Sequence, residues 1–174
     1  MYRGLKILAM APVLNEEQKI GEVVRRTPRE IVDELLVIDD GCTDRSPEVA
    51  RSLGATVLAM GATVGVGAAL RAGYRRAVEG GYDVAVVMAG NNKDSPEEIP
   101  SLVDPIADGR ADFVQGSRFL KPDANFGPMP LYRKLATRVH PLLFSVVARP
   151  DGTHQPLAVR CGQAVFERRI RMTT

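Results

Sequence analysis

Three polar segments directly follow apolar runs: Asn15-Glu16-Glu17, Asp39-Asp40 and Gly90-Asn91-Asn92-Lys93-Asp94. Asp39 and Asp40 are adjacent carboxylates, which repel each other unless something binds near them. A carboxylate placed there can accept hydrogen bonds from the N–H edge of a pyrimidine or purine base. It can equally close a turn through Asx-type bonds into the next helix. Glu16 and Glu17 stand where a helix would begin and complement its dipole, which reads first as a charged cap. Gly65-Val66-Gly67 opens another helical stretch, where backbone N–H groups would suit an anion; tight helix packing is the competing reading. The glycines do not extend to a dinucleotide-binding fingerprint. Leu70 stands in the place of the third glycine, and the stretch does not follow the first strand.

Apolar runs and helical patterns alternate along the chain and must position these segments. Residues 5–12, 34–38, 56–60, 83–88 and 112–115 read as strands; residues 16–26, 46–53, 67–79 and 96–106 read as helices. Pro47 near the start of the second helix fits the preference of proline for a first turn. Such alternation implies right-handed β-α-β units, a mostly parallel central sheet and a three-layer α/β/α, Rossmann-like architecture. Ligands of such sheets bind beyond the carboxyl ends of the strands, which is where all three polar segments fall. Residues 121–130 read as a loop rich in Pro, Gly, Asn and Asp, and 131–148 as a helix broken near Pro141. The stretch from Asp151 has no readable pattern.

The bulk properties set outer bounds. The chain has 174 residues, enough for one domain with a real core. Hydrophobic residues make up 45% and charged residues 25%, which argues against global disorder. The net charge of +2, from 23 basic and 21 acidic side chains, does not point to nucleic acid. Cys42 and Cys161 match no metal-ligand spacing and read as reduced thiols of a cytosolic protein. His140 and His154 have no metal partner at a readable spacing. No signal-peptide pattern is visible, and no run approaches the ~20 apolar residues needed to cross a bilayer. A membrane substrate would therefore be met from outside, by a cytoplasmic protein peripheral to the membrane.

In order, the motifs resemble those of the family 2 glycosyltransferases. Pro12-Val13-Leu14-Asn15-Glu16 matches P-x-x-N-E. Residues 39–44 match D-D-G-S-x-D with Cys42 in the serine's place. Residues 67–73 match G-x-A-x-x-x-G, Pro96-Glu97-Glu98-Ile99-Pro100 matches P-E-x-I-P, and residues 111–118 match A-D-x-V-x-G-S-R. The resemblance covers about residues 5–120 and is closest to dolichyl- or polyprenyl-phosphate mannose and glucose synthases. It implies a GT-A fold, with 1–120 as the nucleotide-sugar-binding core and 121–174 as a divergent or truncated acceptor-side region of the same domain. It also implies transfer of a sugar from a UDP- or GDP-sugar to a polyprenyl phosphate at a membrane surface, or to a glycan. Base and ribose recognition would fall to Pro12, Asn15, Glu16, Asp39 and Asp40. The diphosphate would meet Gly90, Asn91, Lys93, Asp94 and Arg118.

Where the family carries D-x-D to hold Mg²⁺ or Mn²⁺, this chain reads Ala89-Gly90-Asn91. A hard cation prefers charged oxygen ligands, and Asn91 offers a neutral carbonyl. Three outcomes stay open: Asn91 and Asp94 hold a metal more weakly, Lys93 supplies the positive charge, or the chain is a catalytically inactive nucleotide-sugar-binding module. A phosphate acceptor would need no strong general base, whereas a hydroxyl acceptor would. Arg133-Lys134 could also meet a phosphate. Asp151-Gly152-Thr153 begins a family segment that the following residues do not continue. A nucleotidyltransferase would need a glycine-rich basic loop after the first strand, where Asn15-Glu16-Glu17 stands instead. The sequence does not give the oligomeric state.

Overall fold

A computed structural model describes residues 1–116 and the backbone of residues 165–167. Arg118, Arg133, Lys134, His140, His154 and Cys161, with the expected loop at 121–130 and helix at 131–148, lie outside the described residues. The elements are β1 (Ile7–Val13), α1 (Glu17–Arg26), β2 (Glu34–Asp39), α2 (Ser46–Ser52), β3 (Thr56–Ala59), α3 (Val66–Glu79), β4 (Val84–Val87), a 3-10 turn (Pro96–Glu98), α4 (Ile99–Ala107), β5 (Phe113–Gln115) and β6 (Val165–Glu167).

The central strands are apolar along their whole length because both faces are covered. Alternate residues of β1 enter two separate cores. Ile7, Ala9, Ala11 and Val13 pack with Ile20, Val23 and Val24 of α1, Ala50 of α2, and Ile99, Val103 and Ile106 of α4. Leu8 and Met10 pack on the other face with Ala69 and Ala77 of α3. The expected three layers are thus present. Gly73 lets α3 approach the sheet closely: a Cβ there would lie 2.7 Å from Ile38 Cδ1 and from Met10 Sδ. Gly67, by contrast, has nothing within 4 Å of the space a Cβ would fill, so helix packing does not require it.

The sheet order is β3-β2-β1-β4-β6-β5. The first four strands run parallel, and β6 is antiparallel to both β4 and β5. The chain reverses its direction of travel across the sheet after β3, which opens a crevice at the carboxyl ends of β1 and β4. Two boundaries differ from the sequence reading in an instructive way. The helix read over 96–106 is a 3-10 turn leading into α4, because Pro100 has no N–H to reach the Pro96 carbonyl; Ile99 N–H bonds that carbonyl instead. The unplaced C-terminal stretch supplies β6, which separates β5 from β4. Among the described residues, no helix is long and apolar enough to cross a membrane.

Candidate functional site

The loops after β2 and β4 are both bonded to the end of β1. The Val13 carbonyl accepts the Asp40 N–H at 3.0 Å, and the Pro12 carbonyl accepts the Gly90 N–H at 3.3 Å. The loops after β2 and β4 are therefore pinned to opposite sides of one strand end. A Cβ on Gly90 would sit 2.7 Å from the Pro12 carbonyl oxygen and 3.2 Å from Val13 Cβ, so glycine is what permits this approach.

Asp39, the last residue of β2, and Asp40, which follows it, accept hydrogen bonds from different loops. Asp39 Oδ1 accepts the Cys42 N–H at 2.7 Å, an Asx-type closure, the second of the two readings left open above. Asp40 is only 5% exposed. Its Oδ1 accepts Val64 N–H at 2.8 Å and Gly65 N–H at 3.1 Å, and its Oδ2 also accepts Gly65 N–H at 3.1 Å. Of the N–H groups offered by Gly65-Val66-Gly67, that of Gly65 is thus taken by the protein's own carboxylate. Asp40 fixes the β3–α3 loop against the end of β2.

Asn15 adopts a left-handed backbone (φ 53°), which asparagine tolerates better than most residues. Its Oδ1 accepts the Thr43 N–H at 2.8 Å and the Thr43 hydroxyl at 3.3 Å, joining the loops after β1 and β2. Helices α1 and α2 are capped by each other's loops. Ser46 Oγ accepts Glu16 N–H at 2.8 Å, Asp44 Oδ2 accepts Glu17 N–H at 3.0 Å, and Glu17 Oε2 accepts Arg45 N–H at 3.2 Å. Burial pushes the Asp44 carboxyl up, but hydrogen bonds from the Ser46 hydroxyl and the backbone of Ser46 and Glu17 outweigh it and hold it below its ordinary value. Glu16 pairs with Lys19 at 2.7 Å. Asn15, Glu16 and Asp44 help line an open cleft of about 370 Å³. The cross-caps escape a sequence reading because capping rules look within one helix; the usable signal was Asp44-x-Ser46 ahead of α2.

Cys42 occupies the serine position of its motif. Its Sγ accepts the Asn15 N–H at 3.4 Å and donates to the Val13 carbonyl at 3.5 Å. Burial, aided by Asp39 and Asp44, pushes this thiol up to about 11. Because the folded value lies above the ordinary 9.0, the neutral thiol stabilises the fold fully below pH 9 and this contribution is lost as pH rises towards 11. Native protein at pH 8 should therefore be alkylated at Cys42 far more slowly than urea-unfolded protein, as mapped by mass spectrometry; equal rates would contradict the burial. Cys42→Ser should be at least as stable, since a hydroxyl makes stronger bonds to the same two partners.

The loop after β4 closes on itself. Asp94 Oδ2 accepts the Ala89 N–H at 2.7 Å, and Asn91 Oδ1 accepts the Lys93 N–H at 3.3 Å. Lys93 is exposed, while Asn91 and Asp94 are half-buried. Arg26, at the end of α1, reaches this loop: its Nη1 donates to Asn92 Oδ1 at 2.7 Å, and its Nε and Nη2 donate to the two carboxylate oxygens of Glu97 at 2.6 and 2.9 Å. Hydrogen bonding to Arg26 holds the Glu97 carboxyl below its ordinary range against a smaller upward push from burial. No group of three or more His, Cys, Asp or Glu side chains suited to a metal occurs among the described residues. Asn91 and Asp94 do present hard-cation donors on one short loop. That set fits the mode in which Mg²⁺ or Mn²⁺ takes one or two side-chain oxygens and completes its shell with substrate phosphates and water.

Comparison with known proteins gives a consistent result. The family model described as Glycosyl transferase family 2 matches residues 9–168. A UDP-N-acetylglucosamine–dolichyl-phosphate N-acetylglucosaminyltransferase of Methanococcus voltae is 28% identical over 146 residues, covering 74% of this chain and 58% of that protein. An undecaprenyl-phosphate mannosyltransferase of Micrococcus luteus is 32% identical over 138 residues, covering 75% of this chain and 55% of that protein. The chain thus spans about half the length of the curated relatives it matches. Among solved structures, glucosyl-3-phosphoglycerate synthase from Mycobacterium tuberculosis, in complex with Mn²⁺, UDP-glucose and phosphoglyceric acid, superposes with a TM-score of 0.64 at 26% identity, covering 95% of this chain and 57% of the other.

Proposed function

The chain belongs to glycosyl transferase family 2 and has its GT-A fold, and from that premise we propose that it transfers a sugar from a UDP- or GDP-sugar to a polyprenyl phosphate. The observation that carries this reading is the fastening of the loops after β2 and β4 to the last two residues of β1, through the N–H groups of Asp40 and Gly90, with Asn15 tying the loop after β1 to the loop after β2. The relatives' names, which specify dolichyl phosphate and undecaprenyl phosphate, support the acceptor class.

In the proposed reaction an acceptor phosphate oxygen bonds to the anomeric carbon as its bond to the diphosphate breaks. The configuration inverts, and the nucleoside diphosphate leaves with the bonding electrons. The acceptor is already anionic, so no side chain need remove a proton. Pro12, Asn15, Glu16 and Asp39 face the nucleoside, and buried Asp40 holds the loop that completes that side. Gly90 lets the loop of residues 89–94 lie against β1, and Lys93 brings a positive charge to the departing diphosphate. Arg118 is assigned to the same phosphates. Asn91 and Asp94 would hold Mg²⁺ or Mn²⁺, which when bound neutralises diphosphate charge. The segment 121–174 is assigned to the acceptor side.

Restoring a carboxylate at Asn91 tests the assignment. Asn91→Asp should tighten Mn²⁺ binding in the presence of UDP on the order of tenfold, read by calorimetry. With labelled donors and polyprenyl phosphate it should lower the Mn²⁺ concentration needed for transfer. Unchanged Mn²⁺ affinity would remove Asn91 from the metal set. Saturable donor binding without any transfer would identify an inactive binding module instead.

A further inference from the structure

The P-E-x-I-P motif takes no part in the chemistry proposed above, yet Glu97 within it is held in a defined bond pattern. Arg26 uses three nitrogens at once: two grip Glu97 as a bidentate pair, and the third holds the side chain of Asn92. Asn92 has a left-handed backbone (φ 58°) and lies between Asn91 and Lys93. The Arg26 and Glu97 side chains are 34% and 54% exposed, and a simple ion pair so placed contributes little to stability. Its geometry is the informative feature. A planar guanidinium can satisfy three acceptors in fixed directions, and the ammonium of lysine cannot reproduce that fork. The loop is thus closed at its base by Asp94 on Ala89 N–H and clasped at its crest by Arg26.

We propose that Arg26 is a positioning residue, clasping Asn92 and Glu97 so that the 89–94 loop keeps the shape in which Asn91 and Lys93 meet the donor diphosphate. This rests on the reading that the loop receives that diphosphate. Arg26, Asn92 and Glu97 are not among the residues assigned to the nucleoside, nor among those of the two buried cores.

The test uses the full chain, with Arg26→Lys, Asn92→Gly and the double variant. UDP with Mn²⁺ serves as probe in calorimetry, hydrogen exchange follows residues 89–95, and thermal unfolding controls for folding. Each single variant should speed exchange in the loop and weaken UDP binding by about ten- to a hundredfold, with the melting temperature nearly unchanged. The double variant should bind UDP no more weakly than the weaker single one, because both changes remove the same contact. In turnover the donor KM should rise more than kcat falls. Faster exchange with undiminished UDP affinity, or additive losses in the double variant, would overturn the proposal. If wild-type protein binds neither UDP nor GDP, the donor-site reading itself fails and the proposal falls with it; the exchange data would then still report whether the clasp orders the loop.

Discussion

Gly41→Ala should eliminate measurable donor binding and lower folding stability by roughly 2–5 kcal/mol. Two independent penalties combine at this position. The backbone is left-handed (φ +82°), and a Cβ there would lie 2.5 Å from Thr63 N and 2.7 Å from Ala62 C. Both are backbone atoms, so no rotamer change relieves the overlap. The loop preceding α3 must retreat, and with it Val64 and Gly65, whose N–H groups satisfy the buried Asp40 carboxylate. A buried charge deprived of its donors is strongly destabilising. Gly54→Ala separates the two penalties. Gly54 has nearly the same backbone (φ +81°) with nothing within 4 Å, so it should cost only about 1–2 kcal/mol of strain and leave donor affinity unaltered. Urea unfolding gives the stability difference, and calorimetry with UDP and Mn²⁺ gives the affinity. If Gly41→Ala matched Gly54→Ala in both, the close packing of the Asp40 loop would be of no consequence for the site.

These two glycines show how far the sequence carries. The alternation of apolar runs and helical patterns identified the layers, because strands buried on both faces leave a plain compositional trace. Asp39, Asp40, Asn15 and Gly90 were singled out because polar residues ending a buried strand in a parallel sheet fall at its ligand-binding edge. What each carboxylate contacts was not legible. Whether Asp40 meets a base or the N–H groups of Val64 and Gly65 depends on where a loop 24 residues later comes to rest. The same holds for Arg26: a basic residue ending a helix reads as a favourable dipole partner, and its bond to Asn92 spans 66 residues. Strand β6 was missed because three residues carry no usable period and their pairing with Ala85 and Val86 is set by tertiary contact alone.

Gly90→Ala should reduce donor kcat/KM by on the order of a hundredfold while costing no more than about 1–3 kcal/mol of stability. Gly90 does not have a positive φ, so the effect is purely one of contact. The added methyl would meet the Pro12 carbonyl oxygen at 2.7 Å and Val13 Cβ at 3.2 Å. Strand β1 is hydrogen-bonded on both edges and covered on both faces, so it cannot give way. The 89–94 loop must move instead, breaking the Gly90–Pro12 hydrogen bond and shifting Asn91 and Lys93 from the positions proposed to meet the diphosphate. Gly73→Ala provides the opposite case. Its Cβ would meet the side-chain tips of Ile38 and Met10, each at 2.7 Å, in the core beneath α3. It should cost about 1–3 kcal/mol by overpacking while the folded fraction retains full donor affinity. The two variants should thus be similar in urea unfolding and far apart in steady-state kinetics. If Gly90→Ala lost only stability, the loop after β4 would be a structural element alone, and the diphosphate would have to be held by other residues.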